Sequence, residues 1–367
     1  SMLTTVVTIS DTAYFSRVNT MKYRKLGNTD IDVSVICLGT MTWGQQNTPD
    51  DAFEQMDYAL TQGVNFFDTA ELYAIPPKAE TYGHTEEIIG EWLQARGSRD
   101  KIILASKIAG PGEDWIPHIR GGRTRFDASD IPQALDDSLQ RLNTDYLDLY
   151  QLHWPQRKAN FFGKLGFEAP DEEQMTPVIE TLEALAEQVK AGKIRHIGLS
   201  NETPWGLSQF LSIAEQAGLP RVVSVQNPYS LLNRSYEVGM AEISWREQAG
   251  LLAYSPLGFG VLSGKYLNGA KPEGARITLY PDYTRYSSAA AVSATERYVA
   301  LAQGHGLDPA QMALAYVNSR PFLTSNIIGA TTMEQLRGNI ASIDIELSDE
   351  ILAGIEDIHN SHPNPSP

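Results

Sequence analysis

Four side chains of complementary chemistry stand in order along the chain: Asp68, Tyr73, Lys107 and His153. A phenol such as Tyr73 is a poor proton donor at neutral pH, because its ordinary pKa is about 10, and it improves only where a cation stabilises the phenolate. Lys107 is the cation of the set. At about 4 Å and an effective dielectric near 20 the attraction is roughly 4 kcal/mol, on the order of three pKa units before desolvation is subtracted. The expectation is therefore a Tyr73 made more acidic by Lys107. A buried lysine tends to lose its own proton, and a carboxylate beside it keeps it charged, a part open to Asp68. His153 can orient a carbonyl oxygen by hydrogen bonding. Together the four can protonate an oxygen while another reagent attacks its carbon. Each also has an ordinary reading: Asp68 as a turn or helix cap, Lys107 solvated, His153 packed, Tyr73 covering a loop. What separates the two readings is convergence at the ends of successive strands.

The elements that must position them follow a repeat of buried strand, loop and amphipathic helix. Unbroken apolar runs mark strands at Val35 to Gly39, Asn65 to Phe67, Ile102 to Lys107, Leu147 to His153, Ile194 to Ser200, Val222 to Asn227, Leu251 to Ser255 and Asn326 to Gly329. Apolar residues spaced three and four apart mark helices at Asp51 to Gln62, Thr85 to Arg96, Ile131 to Leu142, Pro177 to Ala191, Pro204 to Ala217, Glu237 to Ala249 and Ala291 to Gly304, with Met333 to Ile343 after the last strand. Eight alternations without a long antiparallel run predict a (β/α)8 TIM barrel, ahead of a doubly wound sheet. Before the first barrel strand, Lys22 to Leu26 and Ile31 to Val35 flank the turn residues Gly27 to Asp30, predicting an N-terminal hairpin that could cover one end of something larger. A C-terminal helix completes the α/β fold.

In a barrel the active site lies at the C-terminal strand ends. The residues there include the four above, with Ser200 and Asn201 after the fifth strand, Gln226 on the sixth and Tyr254 to Gly258 on the seventh. No Gly-x-Gly-x-x-Gly follows an early strand, so a Rossmann cofactor site is not signalled.

Composition narrows the class. The 367 residues, 42% of them hydrophobic, suffice for one large domain, expected over residues 21–367. Ser1 ahead of Met2 reads as an artificial start, and residues 3 to 20 show neither a basic region nor a long apolar run, so 1–20 is set apart as an extension. The net charge of −16 argues against a nucleic-acid partner, and no apolar run approaches membrane-span length. Cys37 is the lone cysteine, so no disulfide framework or thiolate metal site is expected, and a cytoplasmic location is the default.

A resemblance then emerges from Gly39-Thr40-Met41, Asp68 with Tyr73, Lys107, Leu152-His153-Trp154-Pro155, Ile197-Gly198-Leu199-Ser200-Asn201, Gln226-Asn227-Pro228, Tyr254-Ser255-Pro256-Leu257, Gly264-Lys265-Tyr266 and Ile328-Gly329-Ala330-Thr331. In this order, from about Met21 to Ile358, they resemble the aldo-keto reductase superfamily, most closely its bacterial Tas-like reductases and more distantly the voltage-gated potassium channel beta-subunit branch. The resemblance implies a barrel that binds NADPH without a Rossmann fold and reduces aldehydes or ketones to alcohols. It implies Tyr73 as acid, Lys107 as its cation, Asp68 as the partner of Lys107 and His153 as orienter of the carbonyl. It places Gly39, Thr40, Met41 and Asp68 near the cofactor, with Ser200, Asn201 and Gln226 on the nicotinamide amide and Tyr254 against its ring. Ser255, Pro256, Leu257, Gly258, Gly264 and Lys265 would lie over the pyrophosphate. Arg276, Gly329, Thr331, Gln335 and Asn339 would serve the adenosine end, where cations favour a 2′-phosphate. One position departs from the channel branch: Gly338 stands where an acid reaches the adenine amine.

Two insertions should set specificity, Gly110 to Phe126 with Trp115 and three arginines, and Gln156 to Thr176 with Phe161 and Phe162. With Trp154 they suggest an aromatic wall, which would suit a hydrophobic small-molecule carbonyl substrate or equally serve only to shield the site from water; the charge and hydropathy above leave no membrane or nucleic-acid partner expected. A cofactor-sensing binding module, as in the channel beta-subunits, is the alternative function. A metal-dependent hydrolase would need converging ligands, for which only His153 and Asp68 qualify.

Overall fold

The computed structural model describes residues 20–367, so the extension set apart above lies outside the described residues but for its last one. The strands are β1 (Tyr23–Lys25), β2 (Asp32–Ser34), β3 (Ile36–Gly39), β4 (Phe66–Asp68), β5 (Ile103–Ile108), β6 (Leu147–Leu152), β7 (Ile194–Ser200), β8 (Val222–Pro228), β9 (Gly250–Tyr254) and β10 (Leu323–Ile328). β3 to β10 are parallel and close into a barrel in which β10 pairs with both β3 and β9. Closure of a single sheet rules out the doubly wound alternative. Burial on both faces explains why these strands read as continuous apolar runs.

Register carries the polar residues to one level. Gly39 pairs with Asp68, Lys107 with Gln151, Gln151 with Gly198, and Ser200 with Gln226. Gly39 is needed for packing, since a Cβ there would lie 2.8 Å from the Ile328 carbonyl oxygen. The helices between strands start where the sequence supplies caps. Thr48 and Asp51 form a capping box ahead of Pro49–Thr61, and Thr203 caps Pro204–Ala217, which ends on Gly218 at φ +64°.

The antiparallel hairpin β1–β2 closes the lower end of the barrel. Its Leu26 and Val33 are fully buried and pack with Cys37, Phe66, Ala105, Leu149, Val223, Leu252 and Ile327, side chains from seven of the eight barrel strands. Gly27, at φ +58°, passes so close that a Cβ would sit 2.7 Å from the Val223 carbonyl oxygen.

Two helical expectations need correction. The helix expected over Glu237 to Ala249 shrinks to Met240–Arg246, because Gly239 at φ +90° and Gln248 at φ +53° leave helical space at either end. The helix Pro309–Asn318 is not signalled by periodicity: its residues from Met312 to Asn318 are all buried, and a helix apolar all round shows no stripe. Among the described residues no helix is long and apolar enough to cross a membrane.

If the hairpin is a structural plug, Leu26→Ala should cost about 2–5 kcal/mol of stability, the range for truncating a buried leucine. Urea unfolding checks this, and a loss below about 1 kcal/mol would show that the hairpin is not part of the core.

Candidate active site

The last residue of β4, Asp68, and the penultimate residue of β5, Lys107, meet inside the upper end of the barrel. Lys107 Nζ donates to Asp68 Oδ2 at 2.6 Å, to the Thr69 carbonyl oxygen at 2.9 Å and to the Tyr73 hydroxyl at 3.0 Å. An ammonium has three hydrogens, so all are committed. Burial pulls the Lys107 ammonium down, but the adjacent Asp68 carboxylate and the Tyr73 phenol together outweigh it and the net shift is upward, so Lys107 stays charged. The second oxygen of Asp68 accepts from Gln151 Nε2 and from Gln226 Nε2, each at 3.0 Å.

The Tyr73 phenol departs from expectation. Burial pushes its pKa above the ordinary value, Lys107 opposes this, and Asp68 adds to it. The expected gain in acidity is thus overturned: Asp68 cancels much of the lysine charge as seen from the ring, and desolvation decides the sign.

His153 lies just past β6, its amide donating to the Ile108 carbonyl and its ring edge-on to Tyr73 at a centroid distance of 5.9 Å. Burial, reinforced by Lys107, holds its pKa well below 6.5, so the imidazole is neutral. Its Nδ1 is buried and has no hydrogen-bond partner among the described residues.

Beyond the four, Ser200, Asn201, Gln226 and Tyr254 form a connected shelf. Ser200 Oγ donates to the Gln226 carbonyl at 2.8 Å, Asn201 Nδ2 to the His153 carbonyl at 2.9 Å, and the Tyr254 hydroxyl to Asn201 Oδ1 at 2.5 Å. Asn201 itself adopts φ +52°. Burial pushes the Tyr254 phenol up to about 12, so it remains a donor.

The segment after β9 is a glycine-rich loop. Ser255 has φ +50°, Gly258 donates its amide to the Ser255 carbonyl across Pro256 and Leu257, and Gly258, Gly260 and Gly264 all have positive φ. A Cβ on Gly260 would lie 2.9 Å from Lys265 Nζ. Arg276 stacks over Phe259 at 5.1 Å and faces Tyr266, Tyr280, Tyr283 and Tyr286. Burial lowers the pKa of both cations. Among the described residues neither has a carboxylate within ion-pair distance.

Other expected residues are spent locally. Thr40 Oγ1 donates to the Asp68 carbonyl at 2.8 Å, and the Met41 carbonyl accepts from the Ile75 amide at 2.9 Å. Gln335 Oε1 accepts from the Thr331 amide and hydroxyl, and Asn339 Nδ2 donates to the Gly329 carbonyl. These bonds shape the loop after β10 and leave Gln335 Nε2 without a partner among the described residues. Gly338 has open space around its Cα, and its carbonyl accepts from Gln311.

Trp154 is 2% exposed, donating Nε1 to the Pro111 carbonyl, and stacks under Trp115, itself 43% exposed, at 5.0 Å. Phe162 packs on both. The aromatic wall therefore rises from His153 to the surface, with Trp115 forming its outer face.

Sequence reasoning missed Gln151, which stood out as the polar residue two before His153 in an otherwise apolar strand end. It also missed Glu71, fully buried in an ion pair with Arg120 and accepting the Ala109 amide at 2.7 Å. That pair ties the first insertion to the loop carrying Tyr73.

Residues 35–360 match the model of the aldo/keto reductase family. The chain is 53% identical to Protein tas of Escherichia coli over 347 residues, covering 95% of this chain and all of that one. It is 36% identical to the uncharacterized oxidoreductase YrpG of Bacillus subtilis, covering 92% and 96%, and 29% identical to a probable voltage-gated potassium channel subunit beta of Arabidopsis thaliana, covering 94% and 98%.

A histidine held neutral in the fold binds its proton more readily when unfolded, so its contribution to stability is present above the unfolded pKa near 6.5 and is lost as pH falls below it. His153 should therefore impose a slope of up to about 1.4 kcal/mol per pH unit between roughly pH 6 and 5. Denaturant unfolding of the parent and of His153→Asn at several pH values measures it; equal slopes in the two would mean that His153 is not held neutral.

Proposed function

The chain belongs to the aldo/keto reductase family and is a carbonyl-reducing oxidoreductase; we propose that it reduces aldehydes or ketones with NADPH, using Tyr73 as the proton donor. One observation carries this reading. Lys107 donates to the Tyr73 oxygen, so the phenol hydrogen cannot point back at Lys107 and is directed elsewhere. Lys107 has no hydrogen left for a substrate.

The residues present fit a nicotinamide dinucleotide. Gln226 Oε1 accepts from no donor among the described residues, while the Gln226 Nε2 is turned inward to Asp68 and Gln151. The positive-φ glycines let backbone approach a pyrophosphate closely, and Lys265 and Arg276 are cations with no acidic partner among the described residues. When bound, the reduced nicotinamide would supply a hydride. The chain's own groups would do the rest. The neutral His153 would orient the carbonyl oxygen, Tyr73 would deliver its proton there, and the charged Lys107 would stabilise the phenolate that results. The Trp115 and Phe162 surface would receive an apolar substituent and keep water out.

Tyr73→Phe should leave NADPH binding nearly intact and cut carbonyl reduction by about 10² to 10⁴-fold, the range for general acid catalysis; fluorescence titration and steady-state rates report both, and full activity would reassign the donor. Because the phenol pKa is raised, reduction in the parent should stay flat to about pH 10, and alcohol oxidation, which needs the phenolate, should climb as pH rises. Lys107→Met should abolish most of both.

Cofactor choice has its own test. Lys265→Ala and Arg276→Ala should each weaken NADPH by roughly ten-fold to over a hundred-fold and NADH far less, as loss of a charged hydrogen bond predicts. Equal dissociation constants for NADPH and NADH in the parent would reject the 2′-phosphate preference.

A further inference from the structure

We propose that Gln151 is a positioning residue: together with Asp68 it takes up both hydrogens of the Gln226 amide nitrogen, holds the amide oxygen outward, and so makes Gln226 an acceptor for the nicotinamide carboxamide. The proposal rests on the cofactor reading above. Its basis is a buried chain of three side chains. Gln151 is fully buried, and its Nε2 donates to Asp68 Oδ1 at 3.0 Å with a second approach to the Ser106 carbonyl at 3.5 Å. Its Oε1 accepts from Gln226 Nε2 at 2.9 Å, and that same nitrogen donates to Asp68 Oδ1 at 3.0 Å.

The direction of every bond in this chain is set by Asp68. A carboxylate can only accept, so both amides must turn nitrogen towards it. Gln151 then presents its oxygen to Gln226, which occupies the second hydrogen of Gln226 Nε2. With both hydrogens committed inward, Gln226 has only Oε1 to offer a ligand. A flipped Gln226 would place its oxygen against the Asp68 carboxylate and the Gln151 oxygen, losing two hydrogen bonds and gaining two repulsions.

Space for this arrangement comes from Gly198, the register partner of Gln151 on β7. A Cβ on Gly198 would lie 2.7 Å from Ser224 Oγ and in ordinary contact, 3.4 Å, with Gln151 Cγ, so glycine there leaves the Gln151 side chain room to cross the barrel interior.

The experiment compares two ligands by calorimetry: NADP+, and 2′-phospho-ADP-ribose, which keeps the adenosine end and pyrophosphate but lacks nicotinamide. Gln151→Leu should weaken NADP+ by roughly five- to ten-fold, the loss of one net hydrogen bond, and leave 2′-phospho-ADP-ribose unchanged. Equal losses for the two ligands, or no loss for NADP+, would overturn the proposal. Failure of the parent to bind NADP+ would instead overturn the cofactor reading, and this one with it.

Gln151→Glu gives a second arm that a purely structural role would not move. Burial and the neighbouring Asp68 would raise the pKa of the introduced carboxyl, opposed in part by the Lys107 ammonium bonded to Asp68. Protonated, it would donate to Asp68 and accept from Gln226, restoring the pattern; ionised, it would repel Asp68. NADP+ affinity of this variant should therefore recover as pH falls over roughly pH 8 to 5, relative to the parent at each pH. A constant ratio across that range would overturn the proposal even if Gln151→Leu fails to fold.

Discussion

The arrangement at the barrel mouth depends on a single buried ion pair. Lys107 and Asp68 have side-chain exposures of 0% and 3%, and an ammonium and a carboxylate taken from water lose several kcal/mol of solvation each. Their mutual attraction offsets that loss only where the remaining hydrogens and lone pairs are also met. Here they are. The surplus hydrogens of Lys107 go to Thr69 and Tyr73, and the free oxygen of Asp68 goes to Gln151 and Gln226. Neutralising the pair therefore recruits residues from β4, its following loop, β6 and β8. The demand for satisfaction is what assembles the site.

The same pair changes how the Tyr73 phenol should be understood. A lone lysine would make it more acidic, but a lysine already neutralised by a carboxylate is closer to a dipole, and burial then dominates. The phenol keeps its proton firmly before reaction. Its role as donor would depend less on a low starting pKa than on a cation already oriented at the oxygen when negative charge arrives.

Much of this was legible in the sequence, because parallel barrel strands are apolar throughout and a polar residue at a strand end stands out. Asp68, Lys107 and His153 announce themselves that way, and the parallel strands β4, β5 and β6 deliver all three to the C-terminal end of the barrel. What escaped notice did so for physical reasons. Gln151 stands as near the end of its strand as Lys107 does, but it carries no charge, and its partners are up to 83 residues away in sequence. Glu71 and Arg120 are two ordinary charges until the fold buries one against the other. The sign of the Tyr73 shift depends on how completely water is excluded, which no spacing reports. The helix Pro309–Asn318 hides because every side of its later turns is buried.

The hairpin plug has a consequence for the order of events in time. With Leu26 and Val33 closing the lower end and side chains filling the interior, a molecule can reach Tyr73 from one direction only. Two reactants that share a single doorway form a queue. If Gln226, Ser200 and Asn201 hold the cofactor, as proposed, and Trp115 and Phe162 flank the substrate, the cofactor would come in first and go out last. The β1–β2 hairpin, far from any reacting atom, would thereby bear on the sequence in which the proposed cofactor and substrate come and go.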